Sequence, residues 1–270
     1  MRAVRSVNFT INMAIISTLL VQSEILWKNP GGNLDSLESA LDSLNVPRGG
    51  LLVVPEMFPT GFTDDIADFA EPLGGPWEKA FHTLLCRYRL AGLLGMVRRH
   101  PDEALYNESL FFEPTHSEPI LAYQKIRPFC GEKSAVRPGS EVRTFEYQGA
   151  TFCPLICYDL RFPELFRAGL SQGAEVFIVI ASWPMKRHAH WELLLQARAI
   201  ENQAIVIGVN RCGSDPHHDY VGGTMVVNPH GEVIFHAGDQ ASIQQVDLDL
   251  DEVREWRLEF PAVSDYLQHV

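Results

Sequence analysis

The stretch Thr151-Phe152-Cys153-Pro154-Leu155-Ile156-Cys157-Tyr158-Asp159-Leu160-Arg161-Phe162-Pro163-Glu164 passes from an apolar run through a short polar turn into a segment opened by proline. A continuous apolar run is expected of a strand covered on both faces, and proline suits the first turn of a helix, where an N–H has no partner to lose. The expected unit is therefore strand, elbow, helix. Similar units lie on either side of it. Residues 13–21 and 51–55 read as buried strands, and between them Asn33 is expected to cap a helix with Leu34, Leu37, Leu41 and Leu44 on one face. Pro76 opens a second helix, with Trp77, Phe81, Leu84, Leu85 and Tyr88 as its inward stripe. Residues 91–98, 105–112 and 119–124 read as consecutive strands, and 143–147 pairs with 151–157 across Gln148-Gly149. Beyond the elbow come a strand at 175–181, a helix at 191–202 with Trp191, Leu194, Leu195 and Ala199 inward, and strands at 204–209, 224–228, 233–235 and 242–246. The two halves meet near Gly139-Ser140 and have similar character. Two apolar sheets packed on each other, with helices on the outer faces, give a four-layer α-β-β-α sandwich. The expected organisation is an extension at 1–12 and a single domain at 13–270.

Composition narrows the function. Among 270 residues, 22 Lys and Arg face 34 Asp and Glu, a formal net charge of −12, which disfavours nucleic acid and anionic membrane as partners. Arg2, Arg5 and the apolar run at 13–21 imitate a signal peptide. The run is too short to span a bilayer, and Gln22-Ser23-Glu24 offers no small-residue cleavage motif, so a strand and a cytoplasmic location are expected. Five scattered cysteines (Cys86, Cys130, Cys153, Cys157 and Cys212) disfavour a disulfide scaffold. The question becomes whether one thiol is reactive.

Three polar residues close apolar runs: Glu56 after Leu51-Leu52-Val53-Val54-Pro55, Lys125 after Ile120-Leu121-Ala122-Tyr123-Gln124, and Cys157 after Phe152-Cys153-Pro154-Leu155-Ile156. Taken singly, each has a bland explanation as a solvated strand end or a buried small side chain. The elbow distinguishes Cys157, because it sets a thiol on a sheet edge beside backbone N–H groups able to form an oxyanion hole. An ordinary thiol is only a few per cent thiolate at neutral pH, so it needs a base or a cation nearby, and Glu56 and Lys125 offer one of each.

Together these residues resemble the nitrilase superfamily of carbon–nitrogen hydrolases, with its Glu-Lys-Cys triad. The resemblance runs from about residue 13 to the end. It takes in Ser182-Trp183-Pro184, Gln196-Ala197-Arg198-Ala199-Ile200-Glu201-Asn202, Val209-Asn210-Arg211 and Asn228-Pro229-His230-Gly231-Glu232. Pro55-Glu56-Met57-Phe58-Pro59-Thr60-Gly61-Phe62 looks like the bacterial ω-amidase branch, which hydrolyses 2-oxo acid amides such as 2-oxoglutaramate. The resemblance implies the sandwich fold and cysteine-dependent hydrolysis of a small amide through a thioester. It also implies no metal or organic cofactor, and a homo-oligomer, commonly a dimer. In those roles Glu56 is the base, Cys157 the nucleophile, and Lys125 with the Tyr158 N–H the oxyanion donors. Hydrolysis of an N-carbamoyl amine or another linear amide, or a non-catalytic scaffold keeping the fold, are the alternatives.

Glu132 resembles the second glutamate of such sites, but the segment from Lys125 is about two residues shorter than the pattern, which leaves a solvated loop glutamate as the other reading. Arg161 is expected either to clamp a substrate carboxylate or to make a structural ion pair, and Trp183 to wall the pocket or pack in the core. Lys133, Arg137, Arg161 and Arg187 are the candidates for a cation facing the triad. His188-Ala189-His190 and His217-His218-Asp219 fit solvated loops better than metal sites, and Cys153 fits a core thiol.

Overall fold

The computed structural model describes residues 15–63 and 65–268. The proposed extension at 1–12 and the start of the first strand lie outside the described residues. The first half contains β1 (Ile15–Gln22), α1 (Pro30–Asp42), β2 (Leu51–Val53), α2 (Ile66–Phe69), β3 (Glu71–Pro72), α3 (Pro76–Tyr88), β4 (Ala91–Arg99), β5 (Leu105–Phe112) and β6 (Leu121–Gln124). The elbow region follows with β7 (Phe145–Tyr147), β8 (Ala150–Ile156), a 3₁₀ turn at Cys157–Arg161 and α4 (Pro163–Ser171). Next come β9 (Val176–Ala181), α5 (His188–Asn202), β10 (Ile205–Asn210), β11 (Cys212–Ser214) and β12 (Asp219–Val221). The chain ends with β13 (Met225–Val227), β14 (Val233–His236), β15 (Ser242–Asp249), α6 (Leu250–Glu259) and α7 (Ala262–Leu267).

Two large sheets form the centre. One runs β15-β1-β2-β4-β5-β6, with β3 added along β4, and the other runs β14-β13-β10-β9-β8-β7. Side-chain alternation separates the layers. Ile16, Leu20, Leu51, Val53 and Leu93 join the core between the sheets, whereas their neighbours Leu19, Val21, Leu52 and Leu94 pack with Leu37 and Leu41 of α1 and Phe81, Leu84 and Leu85 of α3. On the other side, Trp191, Leu195 and Ala199 of α5 and Phe166 of α4 are fully buried with the strands of the second sheet. Full burial of one such aliphatic side chain contributes about 1.5–3 kcal/mol, so the alternation specifies the register of each strand. The result is the four-layer α-β-β-α sandwich. No helix among the described residues is long and apolar enough to cross a membrane.

The structure corrects several local expectations. Asn29, not Asn33, caps α1, its side chain accepting from the Gly32 N–H. Asn33 lies inside the helix and is buried, bonding the Leu26 N–H and the carbonyls of Leu26 and Pro59. Leu44 falls past the helix end and is exposed. The helix expected at 191–202 begins three residues earlier, so His188-Ala189-His190 is its first turn rather than a loop. The boundary near Gly139-Ser140 separates the sheets except at β15, which returns to pair antiparallel with β1 from Ile15↔Asp249 to Gln22↔Ser242. Helices α6 and α7 were not foreseen. The cap of α6 was visible in the sequence, because Asp249 accepts from the N–H groups of Asp251 and Glu252.

Candidate active site

Each of the three strand-end residues stands where a strand stops at one edge of the sandwich. Glu56 follows β2 and comes very close to β4. A Cβ added at Gly95 would lie 2.8 Å from the Pro55 carbonyl and 2.9 Å from the Glu56 Cα, so only glycine allows this approach. Lys125 directly follows β6, and its backbone N–H donates to the Asn107 carbonyl on β5. Cys157 opens the 3₁₀ turn with φ of 45°, a left-handed conformation that a non-glycine residue adopts only at a cost of about 1–3 kcal/mol. The strand, elbow and helix read from the sequence are all present.

The side chains converge. Lys125 Nζ lies 2.7 Å from Glu56 Oε1 and 2.6 Å from Glu132 Oε2, with all three side chains fully buried. Burial alone would favour the neutral amine, but the two carboxylates outweigh it and hold the Lys125 pKa above its ordinary value. Burial pushes the Cys157 thiol well above its usual range. The Glu56 charge adds to that, with Lys125 opposing, so the neutral thiol is favoured at rest. Oε2 of Glu56 also accepts from the Ser182 N–H at 2.9 Å.

Glu132 is buried at the site and is not a solvated loop residue. The short segment reaches Lys125 by tightening: Glu132 N–H donates to the Phe129 carbonyl, and its carboxylate accepts from the Phe129 N–H at 2.8 Å. Sequence reasoning missed two other buried groups. Asn107 sits between the two glutamates, donating at 2.8 Å to Glu56 and 2.7 Å to Glu132. Asp159 organises the elbow, accepting from Tyr123 Oη at 2.8 Å and from the N–H groups of Ile156 and Arg127. Each had a signal: a polar residue inside the alternating run Leu105-Tyr106-Asn107, and a carboxylate within the elbow itself.

Burial raises the Asp159 pKa to about 7, against the opposing pull of Lys125 and its three donors. The folded protein therefore holds a proton there that the unfolded chain releases above about pH 4. The stability from this group is full below the ordinary carboxylate range and is lost as pH rises through about 7. Asp159→Asn is expected to flatten that fall, which urea midpoints measured from pH 4 to 8 would check.

A small pocket opens over Cys157, walled by Phe62, Phe129 and Trp183, with Arg161, Arg187, His218 and Tyr220 also lining it. Arg161 makes no ion pair with a carboxylate among the described residues. It stacks on Trp183 at 4.8 Å and meets His190 Nδ1 at 3.3 Å, so the structural ion pair offered as its alternative is not formed. Arg187 stacks on Phe129 at 5.2 Å. Of the other candidate cations, neither Arg137, which pairs with Asp102 at the surface, nor the exposed Lys133 lines the pocket. Trp183 is both wall and core: it is 2% exposed and packs against Trp191. Tyr158 meets Phe129 and Phe162 edge-on. Cys153 is fully buried, and burial raises its pKa, as expected of a core thiol.

His188, Glu192 and His236 form the one cluster among the described residues with metal-ligand spacing. Both His Nε2 atoms lie within 3.2 Å of Glu192. The Gly238 N–H donates to His236 Nδ1, which puts the His236 proton on Nε2, where it donates to Glu192. That tautomer suits a hydrogen-bonded pair better than a metal ligand.

Known proteins resemble this chain over most of its length. The chain is 33% identical over 257 residues to omega-amidase YafV of Yersinia enterocolitica, covering 94% of this chain and 97% of that protein. It is 32% identical over 251 residues to the 2-oxoglutaramate amidase of Bacillus subtilis (strain 168), covering 91% and 95%. A crystal structure of a CN-hydrolase superfamily protein from Xanthomonas campestris, with an arsenic adduct in its active site, superposes with a TM-score of 0.86 at 29% identity, covering 93% and 97%. The carbon-nitrogen hydrolase family model matches residues 20–258, nearly the whole sandwich, and the chain belongs to that family.

Proposed function

We propose that this carbon–nitrogen hydrolase is of ω-amidase type, releasing ammonia from a small amide that carries a carboxylate, such as 2-oxoglutaramate, through a thioester on Cys157. Glu56 takes the thiol proton as sulfur attacks the amide carbon. The negative charge passes to the former carbonyl oxygen, where Lys125 and the Tyr158 N–H receive it. As the intermediate collapses, Glu56 returns the proton to the leaving nitrogen and ammonia departs. Glu56 then deprotonates water, which attacks the thioester, and the acid leaves as the thiol is reprotonated.

The observation that carries the substrate class is the pair Arg161 and Arg187. They line the pocket over Cys157 with no carboxylate partner among the described residues. The relatives named as an omega-amidase and a 2-oxoglutaramate amidase support the same reading. Charged hydrogen bonds are worth about 1.5–3 kcal/mol, so Arg161→Gln and Arg187→Gln are each expected to raise KM for 2-oxoglutaramate by about 10–100-fold. Hydrolysis of a neutral aliphatic amide should change little. An equal loss on both substrates would give the arginines a purely structural role, and carbon dioxide released with ammonia from an N-carbamoyl amine would favour that substrate instead.

The rest of the reading concerns context. We place residues 13–270 in one domain. The protein is proposed to work in the cytoplasm, in keeping with its five free thiols. It is further proposed to pair with itself, supported by exposed Leu193 and Ile200 on α5 and Leu258 on α6.

A further inference from the structure

We infer that Asn107 is a positioning residue for the hydrolysis: its amide reserves the last free lone pair of Glu56 for the thiol proton and the last free N–H of Lys125 for the oxyanion. The inference rests on the roles given above to Glu56, Lys125 and Cys157. It follows from counting donors and acceptors on three buried side chains, Glu56, Lys125 and Asn107.

A carboxylate offers about four acceptor positions, two on each oxygen. On Glu56, Oε1 accepts from Lys125 Nζ and Asn107 Nδ2, and Oε2 accepts from the Ser182 N–H. One position on Oε2 remains without a donor among these three groups. Lys125 has three N–H bonds. Two go to Glu56 and Glu132, leaving one.

Asn107 keeps this allocation. Its NH₂ bridges Oε1 of Glu56 and Oε1 of Glu132, and the residue is fully buried. The orientation of the amide is fixed chemically, since the reverse would point its oxygen at two carboxylate oxygens. The amide oxygen is left buried without a partner, a cost that the two charge-assisted bonds offset. Without Asn107, both Oε1 atoms lose a donor. The nearest replacement is the third N–H of Lys125, which would be drawn away from the oxyanion, while Glu56 would be free to turn its open position away from sulfur.

The test compares Asn107→Ala, Asn107→Ser and Asn107→Asp with wild type by initial rates of ammonia release and by the pH dependence of Cys157 alkylation with iodoacetamide. Thermal melting checks that each variant is folded. The expected order of kcat is Asn, Ser, Ala, Asp, because serine keeps one donor, alanine none, and aspartate adds a third carboxylate. The expected loss for alanine is about 10²-fold in kcat with KM within threefold, the size associated with one lost oxyanion donor. The alkylation profile should move to higher pH. Purely steric support would make the isosteric aspartate the mildest change. That order, a loss carried in KM, or an unmoved alkylation profile would each overturn the inference. If the aspartate variant does not fold, the serine and alanine pair decides on the same criteria. Glu56→Gln, run in parallel, separates the two levels. Its full activity would remove Glu56 as the base, whereas its inactivity beside normal Asn107 variants would remove only the role of Asn107.

Discussion

Cys157→Ala is expected to abolish ammonia release from 2-oxoglutaramate, with a fall of at least ~10⁴-fold, because no other thiol among the described residues lines the pocket. The only other thiol on the preceding strand, Cys153, is sealed in the core. Alanine accepts the same backbone as cysteine at φ of 45°, so the variant should melt close to wild type and the loss would be chemical. Intact-mass spectrometry supplies the complement: wild type quenched during turnover should carry an acyl group on Cys157, and the variant none. Full activity in the variant would end the mechanism. A folded wild type that never acylates, with substrate or with an electrophile, would favour a scaffold that has kept the fold without the chemistry.

Lys125→Met is expected to damage both activity and stability. Removing the ammonium takes away the proposed oxyanion donor, a loss of about 10²–10³ in kcat. It also leaves Glu56 and Glu132 facing each other across Asn107 in a fully buried space. Breaking a buried pair in this way costs about 3–5 kcal/mol, and the two carboxylates will share a proton that disables the base. Urea unfolding alongside initial rates checks both effects. Stability unchanged within ~1 kcal/mol would show that the lysine does not neutralise the glutamates as its geometry implies. The same comparison separates Lys125 from Asn107, which adds no charge and should affect kcat more than stability.

The fold was largely legible because most of its signals are local. The apolar runs, the prolines at helix starts and the alternation of inward side chains report on burial within a few residues, and the two sheets follow from them. Failures occurred where a local signal had two uses. Asn33 is a good capping residue by type, yet Asn29 already caps α1, and Asn33 is used to tie down Leu26 and Pro59. The return of β15 to β1 was not legible either, because its pairing partner is more than two hundred positions away and its own sequence alternates only weakly.

The site divides along the same line. The proposed nucleophile could be singled out from sequence because the elbow that carries it is contiguous: strand, Cys157, turn and proline lie within one short stretch. Glu56 and Lys125 could be singled out because each closes an apolar run, and the family resemblance joined them to Cys157. What those residues do to one another could not. Glu56 and Lys125 are 69 residues apart, Ser182 reaches Glu56 across 126, and Asn107 bridges carboxylates 51 and 25 residues away. Hydrogen-bond allocation, burial of charge and the choice of Arg161 and Arg187 over Lys133 and Arg137 depend on distances of a few ångströms between such segments. The sequence by itself determined the layers, the elbow and the candidate for the attacking atom, because backbone preference and burial act locally. Only the tertiary structure decided which glutamates share the lysine, which amide holds them and which cations line the pocket, because Coulomb and hydrogen-bond energies depend on separation in space and not along the chain.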